Sequence, residues 1–456
     1  MARFSIDELI TVTAAVCLQR GTASYVETVG TDSRHVQPNM LFIPLCGERF
    51  DGHDYIESAV AQGATAVLTE HAVQPCRADV TVLQVNDTRV ALQQLAGYHR
   101  RRFDVDVVAV TGSNGKTTTK ELIASVLAQQ YKVRKTEKNF NNEIGMAMTL
   151  LQLDESDEVC VVEMGMRGRG QIRELAQMAM PTVGVVTNVG VAHLELLGSR
   201  QEIALAKQEL IEMLPADGTA VLNCDDARVS AMERVMKGRT VRYGMKAGAS
   251  VQAMNVEYDI GKTKFMCRVF DEVYPVVLPM IGRHNVYNAL AAIAVGRVLG
   301  VPETKIQKGL QLATQVGMRQ EVQTYGAITF VNDAYNANPD SLRCSLSSLG
   351  QVGDGRKIAV LGNMYELGDD APKQHRAVGA SLPDYGIAAV ITVGELAAET
   401  AAAAQEKGIE SYPCTTITQA VRQLRQWVQD GDIVLVKGSR SMQMEQVIAQ
   451  WKEGRD

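Results

Sequence analysis

Val105-Asp-Val-Val-Ala-Val110-Thr111-Gly112-Ser113-Asn114-Gly115-Lys116-Thr117-Thr118-Thr119-Lys120-Glu121 decides the fold of this chain. Its opening run is apolar and β-branched, as a strand covered on both faces must be. A glycine-containing loop follows, and then a helical pattern over residues 120–129. Gly112 and Gly115 let the backbone curl so that the amides of Ser113, Asn114 and their neighbours converge on an anion. Lys116 supplies a point charge for the β- and γ-phosphates. Thr117, followed by Thr118, offers a hydroxyl to Mg²⁺, and the helix start adds its positive end. Strand, loop and helix in this order form the context that a phosphate-binding loop requires. The glycines stand closer together than in the commoner form of that loop, so an ordinary glycine-rich turn is the competing reading of this stretch alone.

The same grammar runs outward. Toward the C-terminus, the apolar runs Val159–Val162 and Thr182–Thr187 precede a helical pattern over Gln201–Leu214. From about Gly317 the runs Lys357–Leu361, Ala388–Val393 and Asp432–Val436 repeat the alternation. Toward the N-terminus, Met40–Leu45, Ala64–Leu68 and Thr81–Val85 lead into a helical pattern over Asp87–Arg102. Strands alternating with helices predict parallel sheets covered by helices. The chain therefore reads as three α/β domains, residues 1–103, 104–315 and 316–456. Arg100-Arg101-Arg102 sits at a helix end, where cations complement the dipole. A binding patch is the lesser reading of that cluster.

Composition narrows the function. The 456 residues are 46% hydrophobic and carry a formal charge of −6, which gives no basic footprint for nucleic acid. An anionic substrate must then be met by local cations. The eight cysteines contain no C-x-x-C pair, so neither a zinc site nor a disulfide framework is expected, and buried, reduced thiols are. Asp7 and Glu8 fall where a signal peptide needs apolar residues, and Ser5 with Glu8 reads as a helix cap. Arg297 interrupts the apolar region Ala289–Val301, and no run reaches the ~20 residues of a membrane span. A cytoplasmic protein is expected.

A second group of chemistry-bearing residues lies downstream. Glu163 ends the run Val159–Val162, and strand ends line ligand crevices in parallel sheets, so its carboxylate is placed to hold a metal. A solvated strand-end acid is the alternative. His193 follows another strand end and gains weight only from company. Lys207 is that company, because Ile203, Leu210 and Leu214 form one helical stripe around it. Such a lysine either snorkels to water or stays near apolar surface, partly neutral and nucleophilic. A neutral amine can capture carbon dioxide and become an anionic carbamate able to bind Mg²⁺.

In this constellation the chain resembles the Mur ligase family from its first segment to its last. The resemblance is carried by Thr31–Arg34, Gly47–His53, Thr111–Glu121, Asn139–Gly145 and Glu163–Met166. It continues through Ala192–Glu195, Ala206-Lys207, Gly282–Asn288, Gly317–Arg319, Asn332–Ser341, Leu361–Gly368 and Lys437–Arg440. The resemblance implies a small N-terminal substrate domain, a central P-loop-type ATPase domain on a parallel sheet and a C-terminal Rossmann-like domain. It implies a phosphate loop of this shortened form. It also implies that Lys207 is carbamoylated, with Glu163, His193 and Thr117 serving two magnesium ions. Asn288 would contact adenine, Asp333 the ribose and Arg319 the γ-phosphate of ATP.

Within the family the stretches Asp333–Pro339 and Lys437–Arg440 favour the dipeptide-adding branch, and Asp333–Asp340 with Lys437–Arg440 would help shape its dipeptide pocket. The implied partners are UDP-N-acetylmuramoyl-tripeptide and D-alanyl-D-alanine; a monomer is expected, with no nucleic acid and no membrane span. Ser33 and Arg34 would hold the UDP end. Asn141, Asn142, Asn336, Asn338, Lys437, Ser439 and Arg440 are the other substrate candidates. Asn363 stands where the family usually has an acid, and no catalytic role is expected of it. Phosphorylation of a carboxylate by ATP would give an acyl phosphate, which the amine of the dipeptide then attacks. Arg319 lies past the second segment, so the third domain must swing inward to reach the phosphates. The rival readings are a sister ligase that adds one amino acid or extends folate with glutamate, a nucleotide-operated switch, and a structural protein with a relic loop. The switch reading lacks the Asn-Lys-x-Asp motif that reads guanine.

Overall fold

The computed structural model describes residues 2–453 apart from 48–49, 72–76, 138, 192–193, 314–316, 352 and 354. The phosphate-loop stretch lies at the heart of a nine-stranded sheet. Its strand, Asp106–Thr111, buries Val107, Val108, Ala109 and Val110 completely, each valine contributing roughly 1.5–3 kcal/mol. It runs parallel between Val159–Glu163 and Val183–Val186, with Glu163 opposite Val110 and Val186 opposite Thr111. The chain first builds the sheet on one side of this strand (through Val133–Lys135 and Val159–Glu163), then crosses to the other. A ligand crevice opens at the carboxyl ends of strands where the order reverses in this way.

Two readings of this region need correction. The helix after the loop is Lys116–Leu127, not 120–129, because Gly115 turns the backbone with a φ of +81° and frees Lys116 to be the first helical residue. The sheet is also not wholly parallel. After Thr219–Asn223 and Arg239–Gly244 it continues into a meander of Val251–Asp259, Lys262–Val269 and Glu272–Leu278, the last two strands antiparallel to their neighbours. Burial alternates along Lys262–Val269, as expected of a strand with one covered face. The apolar region near residue 289 belongs to the buried helix Arg283–Val298, and Arg297 in its last turn pairs with Glu272 at 3.1 Å. Among the described residues no helix is long and apolar enough to cross a membrane.

The other two domains are smaller α/β layers. The first carries a five-stranded sheet in the order Val16–Gln19, Thr81–Gln84, Ala64–Thr69, Met40–Phe42, Thr28–Gly30, parallel except for its first strand. Ser5 caps the helix Ile6–Thr13 and exchanges hydrogen bonds with Glu8 in a capping box. The third domain has a six-stranded sheet in the order Glu321–Tyr325, Ile328–Asn332, Ile433–Lys437, Lys357–Gly362, Ile387–Val393, Glu410–Cys414. Only Glu321–Tyr325 is antiparallel there. Asn332 pairs with Val436, which brings Asp333 and Lys437 side by side at the sheet's carboxyl edge. The expectation of buried thiols holds for Cys160, Cys267 and Cys414, whereas Cys17, Cys46 and Cys344 are exposed; all the described cysteines are free.

Arg100 is a structural residue, not part of a patch. Buried at the end of the helix Thr88–Arg100, it donates to the carbonyls of Ala179 (3.1 Å), Phe103 (2.8 Å) and Val105 (2.9 Å). It thereby ties the last helix of the first domain to the central domain. Arg100→Ala strips three buried carbonyls of their donor and should lower unfolding stability by about 3 kcal/mol or more. A urea titration of the intact chain reads this as a shift of the first transition to lower denaturant.

Candidate active site

A cavity of about 1120 Å³ lies between the central and third domains, lined from both. Its floor is the phosphate loop. Gly112 has a φ of +154°, and a Cβ there would lie 1.9 Å from the Thr187 hydroxyl; at Gly115 a Cβ would lie 2.6 Å from Asn288 Oδ1. Both positions exclude a side chain, by backbone conformation and by space. The loop is fastened to the next strand end. Asn188 Oδ1 accepts from the Asn114 amide at 3.0 Å, and the Asn114 carbonyl accepts from Thr187 Oγ1 at 2.7 Å and Asn188 Nδ2 at 2.9 Å. Lys116 Nζ bends over its own loop to donate to the carbonyls of Gly112 (2.7 Å) and Ser113 (3.3 Å). Burial lowers its pKa; the nearby Glu163 carboxylate opposes that shift and the Arg319 guanidinium adds to it.

Glu163 is buried at its strand end. One carboxylate oxygen accepts from Asn141 Nδ2 at 2.7 Å, while the other is buried without a hydrogen-bond partner. An orphaned buried carboxylate oxygen facing a cavity is the donor that a hard cation such as Mg²⁺ takes. Lys207 sits in the helix Arg200–Glu212 among buried Ile203, Leu210 and Leu214, with 1% of its surface exposed. It does not snorkel. Its pKa is pushed far below the ordinary lysine value, first by desolvation and then by the Lys116 charge. Burial therefore favours the neutral form of this amine.

The third domain contributes the opposite wall. Arg319 stacks 3.9 Å over the Tyr335 ring and donates from Nη2 to Thr117 Oγ1 at 3.2 Å. Arg319 thus touches the phosphate loop from the third domain. Asn338 caps the helix Pro339–Gly350 and donates from Nδ2 to Asn114 Oδ1 at 3.0 Å. Lys437 is spent within the wall: its Nζ donates to Asp333 Oδ2 at 2.7 Å and to the Asn336 carbonyl at 2.9 Å. Ser439 accepts from the Tyr365 amide at 2.9 Å, and Arg440 pairs with Glu445 at the cavity rim. Asn288 accepts from Thr119 Oγ1 at 3.1 Å and donates to Asn285 Oδ1 at 3.0 Å, which presses it against the loop. His284, also lining the cavity, is pushed down to about 4 by burial, so it stands neutral.

Several sequence candidates lie elsewhere. Asn142 caps the helix Glu143–Leu150 through the Gly145 amide and is absent from the cavity wall. Ser33 and Arg34 belong to a surface loop of the first domain, where exposed Arg34 pairs with Asp32 and holds that carboxyl well below its usual range. His193 lies outside the described residues. Asn363 has a structural task, accepting from the Ala397 amide at 2.8 Å. Sequence reading missed Thr187, Asn188, Asp226 and Asp340 as fasteners of the loops, and Tyr335 as the platform for Arg319. Tyr335 and Asp340 could have been found, since both stand in the quoted stretch Asn332–Ser341.

Comparison with known proteins matches residues 25–100 to the Mur ligase family catalytic domain, 110–296 to the Mur ligase middle domain and 318–440 to the Mur ligase glutamate ligase domain. A UDP-N-acetylmuramoyl-tripeptide–D-alanyl-D-alanine ligase of Bacillus subtilis is 37% identical, covering 93% of this chain and 92% of its own. The enzyme of that name from Escherichia coli is 34% identical, covering 95% of each. Among solved structures, MurF from Acinetobacter baumannii superposes with a TM-score of 0.92 at 31% identity over 99% of both chains. MurF from Thermotoga maritima in complex with ADP gives 0.85 at 30% identity, over 94% of this chain and 99% of its own.

Burial of Lys207 has a measurable cost. The unfolded chain protonates this amine below its ordinary value of 10.5, whereas the folded chain resists. The unfolded state therefore binds more protons, and this group's contribution to stability falls as pH drops below 10.5. In carbon-dioxide-free buffer Lys207→Met should raise the melting temperature at neutral pH, with the gain shrinking toward alkaline pH. Calorimetric melts across pH check both the sign and the trend.

Proposed function

The chain belongs to the Mur ligase family, and from that membership we propose how its cleft works. It is an ATP-dependent ligase that adds D-alanyl-D-alanine to UDP-N-acetylmuramoyl-tripeptide, giving the pentapeptide precursor of peptidoglycan, ADP and phosphate. The observation that carries the mechanism is Arg319 of the third domain reaching the Thr117 hydroxyl of the phosphate loop. Two domains thereby contribute cations to one phosphoryl site.

A carboxylate resists an amine because its leaving group is poor. Transfer of the γ-phosphoryl group of ATP to the peptide carboxylate releases ADP and creates an acyl phosphate, with a good leaving group. The dipeptide amine then adds to the carbonyl carbon, loses its proton, and the tetrahedral species expels phosphate to leave an amide. The first step requires positioning and charge neutralisation above all. Lys116 and the loop amides would cradle the β- and γ-phosphates, and Arg319 would meet the γ-phosphate from the other side. Glu163, with its partnerless buried oxygen, and Thr117, with its hydroxyl, would hold Mg²⁺ together with His193 and carbamoylated Lys207; the ion neutralises charge on the phosphates. The neutral amine of Lys207 is suited to that modification, adding to the carbon of CO₂ with loss of a proton.

Asn288 would contact adenine and Asp333 the ribose, with Lys437 acting through its ion pair to Asp333. Ser33 and Arg34 would hold the UDP end. Asn141, Asn142, Asn336, Asn338, Ser439 and Arg440 would shape the peptide and dipeptide positions, Asn142 through the helix it caps. We assign domain limits at 1–103, 104–315 and 316–456, and a monomer acting in the cytoplasm.

ADP release should be fast with D-alanyl-D-alanine and slow with single amino acids, and mass spectrometry should find the dipeptide adduct. A single-residue adduct would transfer the reading to a sister ligase. Arg319→Ala should lower turnover by roughly 100-fold while ADP still binds. Removing dissolved carbon dioxide should slow the wild-type enzyme and bicarbonate should restore it; an enzyme indifferent to both would rule out the Lys207 carbamate.

A further inference from the structure

Three consecutive main-chain amides follow the strand Val183–Val186, and each is held by a side chain from a different part of the molecule. The Val189 N–H donates to Asp226 Oδ2 at 2.8 Å, the Gly190 N–H to Ser113 Oγ at 2.9 Å and the Val191 N–H to Asp340 Oδ2 at 2.9 Å. Asp226 caps a short helix of the central domain, Ser113 belongs to the phosphate loop, and Asp340 stands in the first turn of the third-domain helix Pro339–Gly350. Only the last of these bonds crosses between domains. The fit at the middle position is close: a Cβ on Gly190 would lie 2.7 Å from Asp340 Oδ2 and 3.2 Å from Ser113 Cβ. The same helix end makes another crossing, from Asn338 to Asn114.

We propose that Asp340 is a positioning residue for ligation: its carboxylate seats the third domain by gripping the Val191 amide. The segment 189–191 is thereby pressed onto Ser113, which holds the phosphate loop in register with Arg319. The inference rests on the ligase reading for its catalytic consequence, but not for the contact itself. Loss of the acceptor would leave the Val191 amide unpaired at the seam, which is expected to cost about tenfold in the population of the seated state. Asp340 has two other attractions. An acid in the first helical turn favours the helix dipole, and Arg343 lies 3.8 Å away. Both need the charge, whereas the grip on Val191 needs only an oxygen.

Asp340→Ala and Asp340→Asn in the full chain separate these roles. Asparagine keeps an acceptor for the Val191 amide and drops the charge. Asp340→Ala should lower kcat about tenfold while the ADP dissociation constant changes by less than about threefold. It should also enlarge the radius of gyration in small-angle scattering. Asp340→Asn should stay within about threefold of wild-type turnover, since the acceptor is retained. Wild-type kcat and dimensions in the alanine variant, with only a lower melting temperature, would leave Asp340 as a helix residue and overturn the proposal. An asparagine variant as slow as alanine would overturn it too, by assigning the effect to charge. Failure of the wild-type enzyme to ligate would sink the ligase reading instead, and scattering would still report on the grip.

Discussion

The phosphate loop is fastened from outside itself, and the rest of the site depends on that fastening. A loop that must present its amides to phosphate leaves few of its own groups to hold its shape. Here the carbonyl of Asn114 is taken by Thr187 and Asn188, and its amide by the Asn188 side chain. Gly112 must be glycine because Thr187 occupies the space beside it. The two strands concerned, Asp106–Thr111 and Val183–Val186, are neighbours in register. Their pairing delivers one strand-end loop onto the other without further adjustment. Preorganisation of this kind costs no reordering when the charge of a reacting phosphate arrives.

Electrostatics couples two half-buried cations of the cleft, Lys116 and Arg319, to the fully buried Lys207. Lys116, Lys207 and Arg319 act on one another unfavourably: Arg319 and Glu163 bear on Lys116 with opposite signs, and Lys116 further depresses Lys207. Water would screen these charges, and their influence on a phosphate would shrink with it. Burial keeps the influence at the expense of stability. For Lys207, burial favours the neutral amine, which lessens its conflict with Lys116. Stability is sacrificed where the chemistry is, as strain and unsatisfied groups at functional sites usually reveal. The orphaned oxygen of Glu163 is of the same kind.

What could be read in the sequence followed from how much side-chain identity each feature needs. The strand before the loop was plain because only β-branched apolar residues suit a doubly covered strand, and Lys116 was plain because a glycine loop fixed its setting. The stripe Ile203, Leu210 and Leu214 correctly placed Lys207 on an apolar face, yet could not choose between snorkelling and burial, a matter of what packs over it. The meander Val251–Leu278 went unread although Lys262–Val269 alternates cleanly, because the expectation of a wholly parallel sheet overrode a period of two. Asn142 and Lys437 were placed by resemblance as substrate residues; the structure gives one to a helix cap and the other to an ion pair with Asp333. The fasteners Thr187, Asn188 and Asp226 grip main-chain groups, which every residue possesses, and such contacts leave no pattern in a sequence.

The division of the site between two domains has a physical rationale. A cleft completed within one domain would hold its cations at fixed distance whether or not nucleotide and peptide were both present, and water could then reach an acyl phosphate as easily as an amine could. Arg319 instead arrives on a separate sheet whose carboxyl edge, at Asp333 and Lys437, faces the edge at Thr111 and Glu163. Its contact with Thr117 is a single hydrogen bond, supported by stacking on Tyr335 and by two further crossings at Asn338 and Asp340. Each crossing is a single hydrogen bond, modest on its own. Together they fasten the third domain to the phosphate loop and its neighbouring strand end. The same economy constrains the loops: a tighter seat would protect the intermediate better and release the product more slowly, which argues for separate single hydrogen bonds over a buried ion pair at this seam.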